Sequence, residues 1–573
     1  MKRIRVLAFI MILFLLITVA GLVTVQIFMH ERYKTMSEQN RLKVVPLAAP
    51  RGAITDRNGL EMVKDELSFN VSVKHFRVGN RDDLLRDLSS ALGTDKEAVG
   101  KELNAASRNP FVPHVVARDV GIENAIRISE MSWDHPGIIL DVTPRRRYLA
   151  GASGSSYLGY VGPINREEFQ RLRPYGFRID DRMGRAGLES VYDDYLRGRH
   201  GGKQVEVDNR GREVRVLGHR EALPGKPIRL TVDLRLQEFC DGLLEGKRGA
   251  IVAMSPETGE ILALSSSPSY DPNAFIEAGR SAEVSRLLRD TEYPLLNRAI
   301  AGTYPPGSVF KLVVAAAALE NGVISEETVF NCGGNMVMGG RTFNCWRKQG
   351  HGNIALKEAL QVSCNVFFWR TGLLLGPDKI AAAAGNMGFG QRSGIDLPFE
   401  NAGVLPSESW KRKTMREPWY RGETLNYSVG QGYMLASPLQ VARMTSALAN
   451  GGYLVKPYIV EEIDGVSVSS RERIYLGLSE KDIGVVREGM KMAVNMRRGT
   501  GVRARDRDIV ISGKTGTAQT SRAENHGWFA GFAPFDKAKL TVVVFDEYGG
   551  KGGEFAAETT GKIFRKAGEL GLL

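Results

Sequence analysis

The sequence predicts a multi-domain chain, an α+β module followed by a large α/β domain, behind a single N-terminal transmembrane helix. Three observations predict it. Val6 to Met29 is a run of 24 residues without a charge, preceded by Lys2, Arg3 and Arg5, and about 20 apolar residues suffice to cross a hydrocarbon core. The 573 residues are 43% hydrophobic and 25% charged, which excludes a mainly disordered chain and, at about 100–200 residues per domain, leaves room for several cores. The composition then shifts at Pro224-Gly225-Lys226-Pro227 toward Ala, Gly and long apolar segments.

Taken in order, residues 1–5 form a short cytoplasmic tail and 6–29 the anchor. The apolar region of a cleaved signal is usually only about 7–15 residues, so an uncleaved span is the better reading. The basic residues before it favour an N-terminus inside, which leaves Arg32 to Leu573 outside the cytoplasm. Residues 30–225 alternate short apolar runs with polar turns. Asn58-Gly59 marks a tight turn. Lys203 to Leu217 alternates Val with charge around Asn209-Arg210-Gly211, the pattern of a hairpin with one covered face. Helices are expected at Asp82–Leu92 and Glu123–Ser129, giving an elongated, β-rich module without a nucleophile constellation. Residues 226–573 form the large domain. Gly249–Met254 and Glu260–Leu264 read as strands joined through Pro256–Gly259, and so do Ile509–Ala518, Gly527–Phe532 and Leu540–Phe545. Val309 to Leu319 is apolar on every face except Lys311 and reads as a buried central helix.

The charge balance, 77 Lys+Arg against 65 Asp+Glu, leaves a mild excess of +12 without a long basic block. A nucleic-acid partner is not indicated. Four cysteines exclude a disulfide-stapled scaffold.

Three short motifs carry candidate chemistry. In Tyr304-Pro-Pro-Gly-Ser-Val-Phe-Lys311, Ser308 and Lys311 are three apart and share a face. A serine hydroxyl needs a base to become a nucleophile, and lysine becomes one when burial disfavours its ammonium form. By chance Ser-x-x-Lys arises about once or twice in a chain of this length, so its place at the head of an apolar helix is what raises it. Ser363-Cys364-Asn365 sets a hydroxyl and an amide two apart, although alone such a tripeptide is usually a loop or cap. In Lys514-Thr515-Gly516-Thr517, Lys514 and Gly516 share one strand face and the two threonines the other. Twist or a bulge at Gly516 would bring both to one cleft, with the glycine leaving room for a substrate backbone. Lys-Thr-Gly is expected only about 0.1 times by chance, and the three motifs in this order are far more specific than any one. A histidine triad fits poorly: the eight histidines are scattered, and no Gly-x-Ser-x-Gly elbow is evident.

Cys332, Cys345 and Cys364 fall in one window with His351, in the order Cys-x12-Cys-x5-His-x12-Cys. Zinc accepts such a Cys3His set tetrahedrally. A Cys332–Cys345 disulfide and unpaired buried thiols are the alternatives. Cys240 stands apart as a core thiol.

At the three motifs the chain resembles the serine penicillin-recognising enzymes, and more widely the class B penicillin-binding proteins. Arg51-Gly-Ala-Ile-Thr-Asp-Arg-Asn-Gly59 is similar to their membrane-proximal motif. Gly184-Arg-Ala-Gly-Leu-Glu189, with Leu196-Arg-Gly198 and Gly201, is similar to a second pedestal motif. Gly249–Pro256, Ser428–Tyr433 and Trp528–Pro534 are similar to blocks of the transpeptidase domain. Asn344-Cys-Trp346 and Gly350-His-Gly352 resemble the penicillin-binding protein 2 group, which serves elongation. The chain departs from that group at three points: Asn365 where Asp is frequent, no histidine in Tyr148–Ser155, and Ala556-Ala-Glu558 for Ala-Ala-Pro.

The resemblance implies an antiparallel sheet flanked by helices in the C-terminal domain, as in β-lactamases, and serine D,D-transpeptidase activity that cross-links peptidoglycan stem peptides in wall elongation and is the target of β-lactams. Ser308 would be the nucleophile, Lys311 its base, Ser363 a proton relay and Asn365 a donor-positioning group. Lys514, Thr515, Gly516 and Thr517 would form the substrate-binding strand. No cofactor is needed for the chemistry, and a structural zinc at Cys332, Cys345, His351 and Cys364 has parallels in the elongation group. The implied partners are stem peptides, β-lactams, a SEDS-type glycosyltransferase and elongation-complex membrane proteins, and the implied site is the bacterial inner membrane with a periplasmic catalytic domain. The other readings are a division-type class B transpeptidase, a tethered β-lactamase or D,D-carboxypeptidase, and a non-catalytic β-lactam sensor or scaffold.

Overall fold

The computed structural model describes residues 2–108, 113–179, 181–207, 213–277, 279–469, 471–521 and 524–573. Helix α1 (Lys2–Val23) continues through one wider turn to Phe28, and Lys2–Phe28 is long and apolar enough to cross a membrane, with none of its apolar window buried in protein. An unburied apolar helix of this length is satisfied by lipid rather than by a core.

The rest divides into two compact units. The first comprises 1–51, 66–145 and 197–225. Its three-stranded antiparallel sheet joins Leu42–Leu47, Gly201–Val207 and Glu213–Arg220. The last two strands are the arms of the expected hairpin, and its Asn209-Arg210-Gly211 turn lies outside the described residues. A separate core forms around Val71, Val73, Leu84, Leu88, Leu103 and Ile128. Two of its helices are the expected ones, at Arg81–Leu92 and Ile122–Met131. Asn80 caps the former through the amides of Asp82 and Asp83, and Gly93 ends it in the left-handed region at φ 62°, where glycine carries no Cβ penalty.

The second unit comprises 52–65, 146–196 and 226–573. Its centre is a five-stranded antiparallel sheet of β1 (Gly249–Met254), β2 (Ile261–Ser267), β3 (Ser512–Ala518), β4 (His526–Ala533) and β5 (Leu540–Asp546), in the order β2-β1-β5-β4-β3. Every residue of β1, β4 and β5 is buried, so these strands read as continuous apolar runs rather than alternating ones. One face packs on helices that include α2 (Lys311–Glu320). The other packs on Leu236–Leu244 with the buried thiol of Cys240, and on α3 (Phe555–Glu569).

The parts of the two pedestal-type motifs that fall in this unit, Gly52–Gly59 and Gly184–Leu196, meet within it. The Gly52 amide donates to Leu196 O (2.8 Å), and a Cβ on Gly52 would lie 1.9 Å from Lys226 O. Buried Arg146 donates to Glu189 (2.6 Å) and to Gly52 O (2.8 Å). Asp56, fully buried, accepts from the amides of Asn58 and Leu60 (2.8 Å each) and so shapes the Asn58-Gly59 turn.

Candidate functional site

The nucleophile segment begins at Pro305-Pro306-Gly307. Instead of one continuous helix from Val309, the chain makes a tight 3₁₀ turn at Gly307–Phe310, and α2 starts at Lys311. In a 3₁₀ turn residues i and i+3 eclipse, so Ser308 and Lys311 stay on one side. Three contacts fix this turn. The Trp528 indole N–H donates to Pro305 O (3.0 Å), and the Gly307 amide donates to Gly430 O (2.9 Å). Gly307, at φ 56°, abuts β3, where a Cβ would stand 2.9 Å from Thr517 O. Ser308 is thereby seated beside β3, half-buried at the head of an apolar helix.

Lys311 is fully buried. Its Nζ donates to Ser363 O (3.0 Å), Ser363 Oγ (3.2 Å) and Asn365 Oδ1 (2.7 Å), which uses all three ammonium protons. Phe368 lies beneath it, 5.5 Å to the ring centre. Burial pushes the Lys311 ammonium down to about 8, against the opposing pull of the Cys364 and Cys345 sulfurs. The second motif is therefore the acceptor set that holds the lysine. Ser363 sits at φ 53°, outside the usual range for a residue with a Cβ. Such backbone strain tends to gather at functional sites. Asn365 opens helix α4 (Asn365–Leu375). The Trp346 indole N–H ties the arm down at Val362 O (2.9 Å).

The third motif lies on β3, at the edge of the sheet. Of the two devices expected at Gly516, twist or a bulge, the bulge does not occur: β3 pairs with β4 in unbroken register from Ser512 to Ala518. The edge position does the work instead: one flank of the strand has no partner in the sheet, so groups from both faces reach the space along it. A Cβ on Gly516 would strike Pro306 O and the Trp528 Cβ (2.9 Å each). The glycine thus admits the nucleophile turn rather than a substrate backbone. Lys514 is fully buried, its Nζ donating to Thr515 O (3.0 Å). Burial, and then the charge on Lys311, hold its ammonium well below the usual lysine range. Lys514 therefore lies within the electrostatic reach of Lys311. An arriving carboxylate would favour the charged form of Lys514.

Two contributors escaped the sequence reading. Thr500 accepts from the Thr515 hydroxyl (2.8 Å), and its amide donates to Gln361 O (3.2 Å), joining β3 to the arm that carries Ser363. Gly430, at φ 70°, leaves room for Gly307 O, 2.2 Å from where its Cβ would stand. The sequence signal at Thr500 was the pair of glycines in Gly499-Thr-Gly501, whereas Gly430 lies in the Ser428–Tyr433 block that carries the family resemblance, with no role read for it there.

Cys332, Cys345, His351 and Cys364 meet behind the Ser363 arm, their ligand atoms all within 4.8 Å of one another. The His351 Nδ1 lies 3.5 Å from Cys332 Sγ and 3.7 Å from Cys345 Sγ. Tetrahedral zinc, with bonds of about 2.0–2.3 Å, has ligand–ligand edges of about 3.4–3.8 Å, so these two contacts match it and the Cys3His donor types suit it. All four cysteines of the chain are free, and the Cys332–Cys345 disulfide does not form. A hydrogen bond from Cys364 lowers the pKa of Cys345 and raises that of Cys364, so one thiolate is favoured within the cluster.

Comparison with known proteins supplies the family context. Residues 249–567 match the model of the penicillin binding protein transpeptidase domain, and 46–230 that of the penicillin-binding protein dimerisation domain. The chain is 34% identical to the peptidoglycan D,D-transpeptidase MrdA of Haemophilus influenzae, over 94% of this chain and 87% of that protein. It is 32% identical to MrdA of Escherichia coli, over 94% and 89%. Among solved structures, PBP2 of Helicobacter pylori in complex with MreC superposes with a TM-score of 0.82 at 30% identity, covering 93% of this chain and 99% of that one. A chain of a peptidoglycan synthase complex gives 0.77 at 31%, covering 98% and 97%.

Proposed function

The chain belongs to the class B penicillin-binding proteins, and from that premise we propose how its own residues carry out the family's reaction. It is a peptidoglycan D,D-transpeptidase of the PBP2 kind. One observation carries the reading of its site: a buried lysine with a depressed pKa bridges Ser363 and Asn365, next to a serine seated against an edge strand bearing a second buried lysine.

Ser308 Oγ attacks the carbonyl between the two terminal D-alanines of a donor stem. Neutral Lys311 takes the hydroxyl proton as the C–O bond forms. The ammonium so formed on Lys311 gives a proton to Ser363 Oγ while Ser363 passes its own hydroxyl proton to the departing D-alanine nitrogen, which returns Lys311 to the neutral amine. The C–N bond breaks and an ester on Ser308 remains. An amine of a neighbouring stem then attacks the ester, forms the cross-link and returns the proton to Ser308. Lys514, Thr515 and Thr517 hold the terminal carboxylate. Backbone N–H groups of Ser308 and Thr517 supply the oxyanion hole. β-Lactams acylate Ser308 by the same route.

The Cys332, Cys345, His351 and Cys364 cluster is read as a structural zinc site, supported by its donor set and spacing. When bound, the metal supplies no chemistry and braces the Ser363 arm. Cys345→Ser is expected to lose stoichiometric zinc and to lower the Tm by several degrees. Elemental analysis of the unmodified protein finding no zinc would end this assignment.

The apolar helix Lys2–Phe28 supports a single-pass protein of the bacterial inner membrane with its catalytic unit in the periplasm. A SEDS-type glycosyltransferase is the partner proposed for glycan polymerisation, together with elongation-complex membrane proteins, a reading supported by the likeness to PBP2 in complex with MreC and to a chain of a peptidoglycan synthase complex. Mixed with lipid-linked precursor and such a polymerase, the full-length protein is expected to yield cross-linked glycan, and depletion in cells is expected to round them. Uncross-linked polymer alone would overturn the activity. Filaments would indicate division, and rapid turnover of a chromogenic cephalosporin a β-lactamase.

A further inference from the structure

Between helix α5 (Glu480–Asn495) and β3 the chain carries Arg497, Arg498, Arg503, Arg505 and Arg507. These are five guanidinium groups within eleven residues, and all five are exposed. The acids nearby do not neutralise them. Asp506 accepts from the amides of Asp508 (2.9 Å) and Ile509 (3.3 Å) and pairs with Arg565 (2.9 Å). Glu558, which feels Arg503, is paired with Lys562 (2.7 Å). Exposed Asp508 is left as the single acid within the segment not engaged in this way.

The backbone beneath these charges is fixed. The Gly499 amide donates to Met496 O (2.9 Å), Gly501 to Ala493 O (2.9 Å) and Ala504 to Gly501 O (2.9 Å). A Cβ on Gly499 would sit 2.2 Å from Ala493 O. The segment therefore cannot spread its charges by unwinding, and crowding like charges without counter-charges is unfavourable. Its position relative to the cleft is equally fixed. Thr500, in the middle of the arginines, bonds to the Thr515 hydroxyl on one side and to Gln361 O on the other, so the turn that carries them is tied to β3 at its centre, while its Arg503–Arg507 end lies against α3.

We propose that the Arg497–Arg507 turn docks the stem peptide as an anionic, carboxylate-bearing chain, holding it beside the cleft while its reacting end lies at Lys514. This deepens the transpeptidase reading above and rests on it. An extended peptide advances about 3.3–3.6 Å per residue. A stem whose last carboxylate reaches Lys514 therefore carries its remaining carboxylates past a surface only a few residues away. Guanidinium groups suit such a ligand because each presents a planar fork to a carboxylate. Because the groups are exposed, their attraction works within the screening length, about 8 Å at physiological salt. The surface should act on capture more than on the chemical step.

The test uses the full-length protein and two thioester analogues of the donor stem, one with free side carboxylates and one with them amidated. Wild type is expected to favour the charged analogue in kcat/KM by about tenfold at low salt, with the preference fading as salt rises. The variant Arg497→Gln/Arg498→Gln/Arg505→Gln/Arg507→Gln is expected to lose that preference and its salt dependence, with kcat retained. The same four positions as Lys should restore most of it. Acylation by a zwitterionic β-lactam reports the fold and Ser308 independently. If wild type fails to acylate, the transpeptidase reading fails. If acylation is intact and the Gln variant keeps the wild-type preference, the docking surface is overturned. If the Gln variant fails to acylate, the Arg497→Gln/Arg498→Gln pair and the Lys set carry the same comparison. Loss of binding to anionic phospholipid vesicles with unchanged peptide preference would assign the arginines to a membrane instead and would also overturn the proposal.

Discussion

Ser308→Ala is expected to abolish covalent labelling of the full-length protein by a fluorescent penicillin and to reduce cross-linking to background. The loss should be complete rather than graded, because the labelled species is an ester on that oxygen and the variant has no oxygen there to form it. The change should leave stability almost untouched. Ser308 is half-buried, and the turn that carries it is held by the Trp528 indole and the Gly307 amide, neither of which the substitution alters. Thermal melting within about 0.5 kcal/mol of wild type would confirm that the loss is chemical. Retained labelling would refute the nucleophile assignment and move attention to Ser363, whose hydroxyl accepts from Lys311.

The second large effect belongs to Lys311. Lys311→Met keeps most of the side-chain volume and removes the amine, and it is expected to slow Ser308 acylation by about 10²–10⁴, the usual contribution of a positioned general base. The wild-type pH profile should carry the signature of that amine. Burial pushes its pKa down to about 8, so below about 8 the ammonium predominates and the acylation rate should rise about tenfold per pH unit, levelling off above it. The sign for stability follows from the same shift. The folded pKa lies below the unfolded value of 10.5, so the cost of burying the ammonium is fully present below about 8. Stability gains between about 8 and 10.5, where the unfolded chain holds the proton more tightly. In Lys311→Met the rise in acylation rate through pH 8 should vanish along with the rate. A variant that kept the wild-type profile would show that another group takes the proton.

Much of this site was legible because its residues are closely spaced along the chain. Ser308 and Lys311 are three apart at the head of an apolar run, and the Lys514 motif follows a strand-like segment. Spacing of that kind survives any tertiary arrangement, since local geometry alone puts such groups on one side. The parts played by Thr500 and Gly430 were not legible, although the Ser428–Tyr433 block around Gly430 was singled out by resemblance. Their roles depend on contacts with Thr515, Gln361 and Gly307, and nothing in their own neighbourhoods encodes which distant segment arrives.

Gly516 marks the boundary most clearly. Its lack of a side chain was read as room for a substrate, and the structure fills that room with Pro306 and the Trp528 side chain. By itself the sequence determined the apolar N-terminal helix, the main strands and the candidate reacting groups, because apolar length, periodicity and short-range spacing are local properties. The tertiary structure alone decided that Lys311 is held by Ser363 and Asn365, that β3 stands at the sheet's edge, and that Cys332, Cys345, His351 and Cys364 meet. Each of these depends on which remote surfaces pack together, and packing is set by the whole core rather than by any one segment.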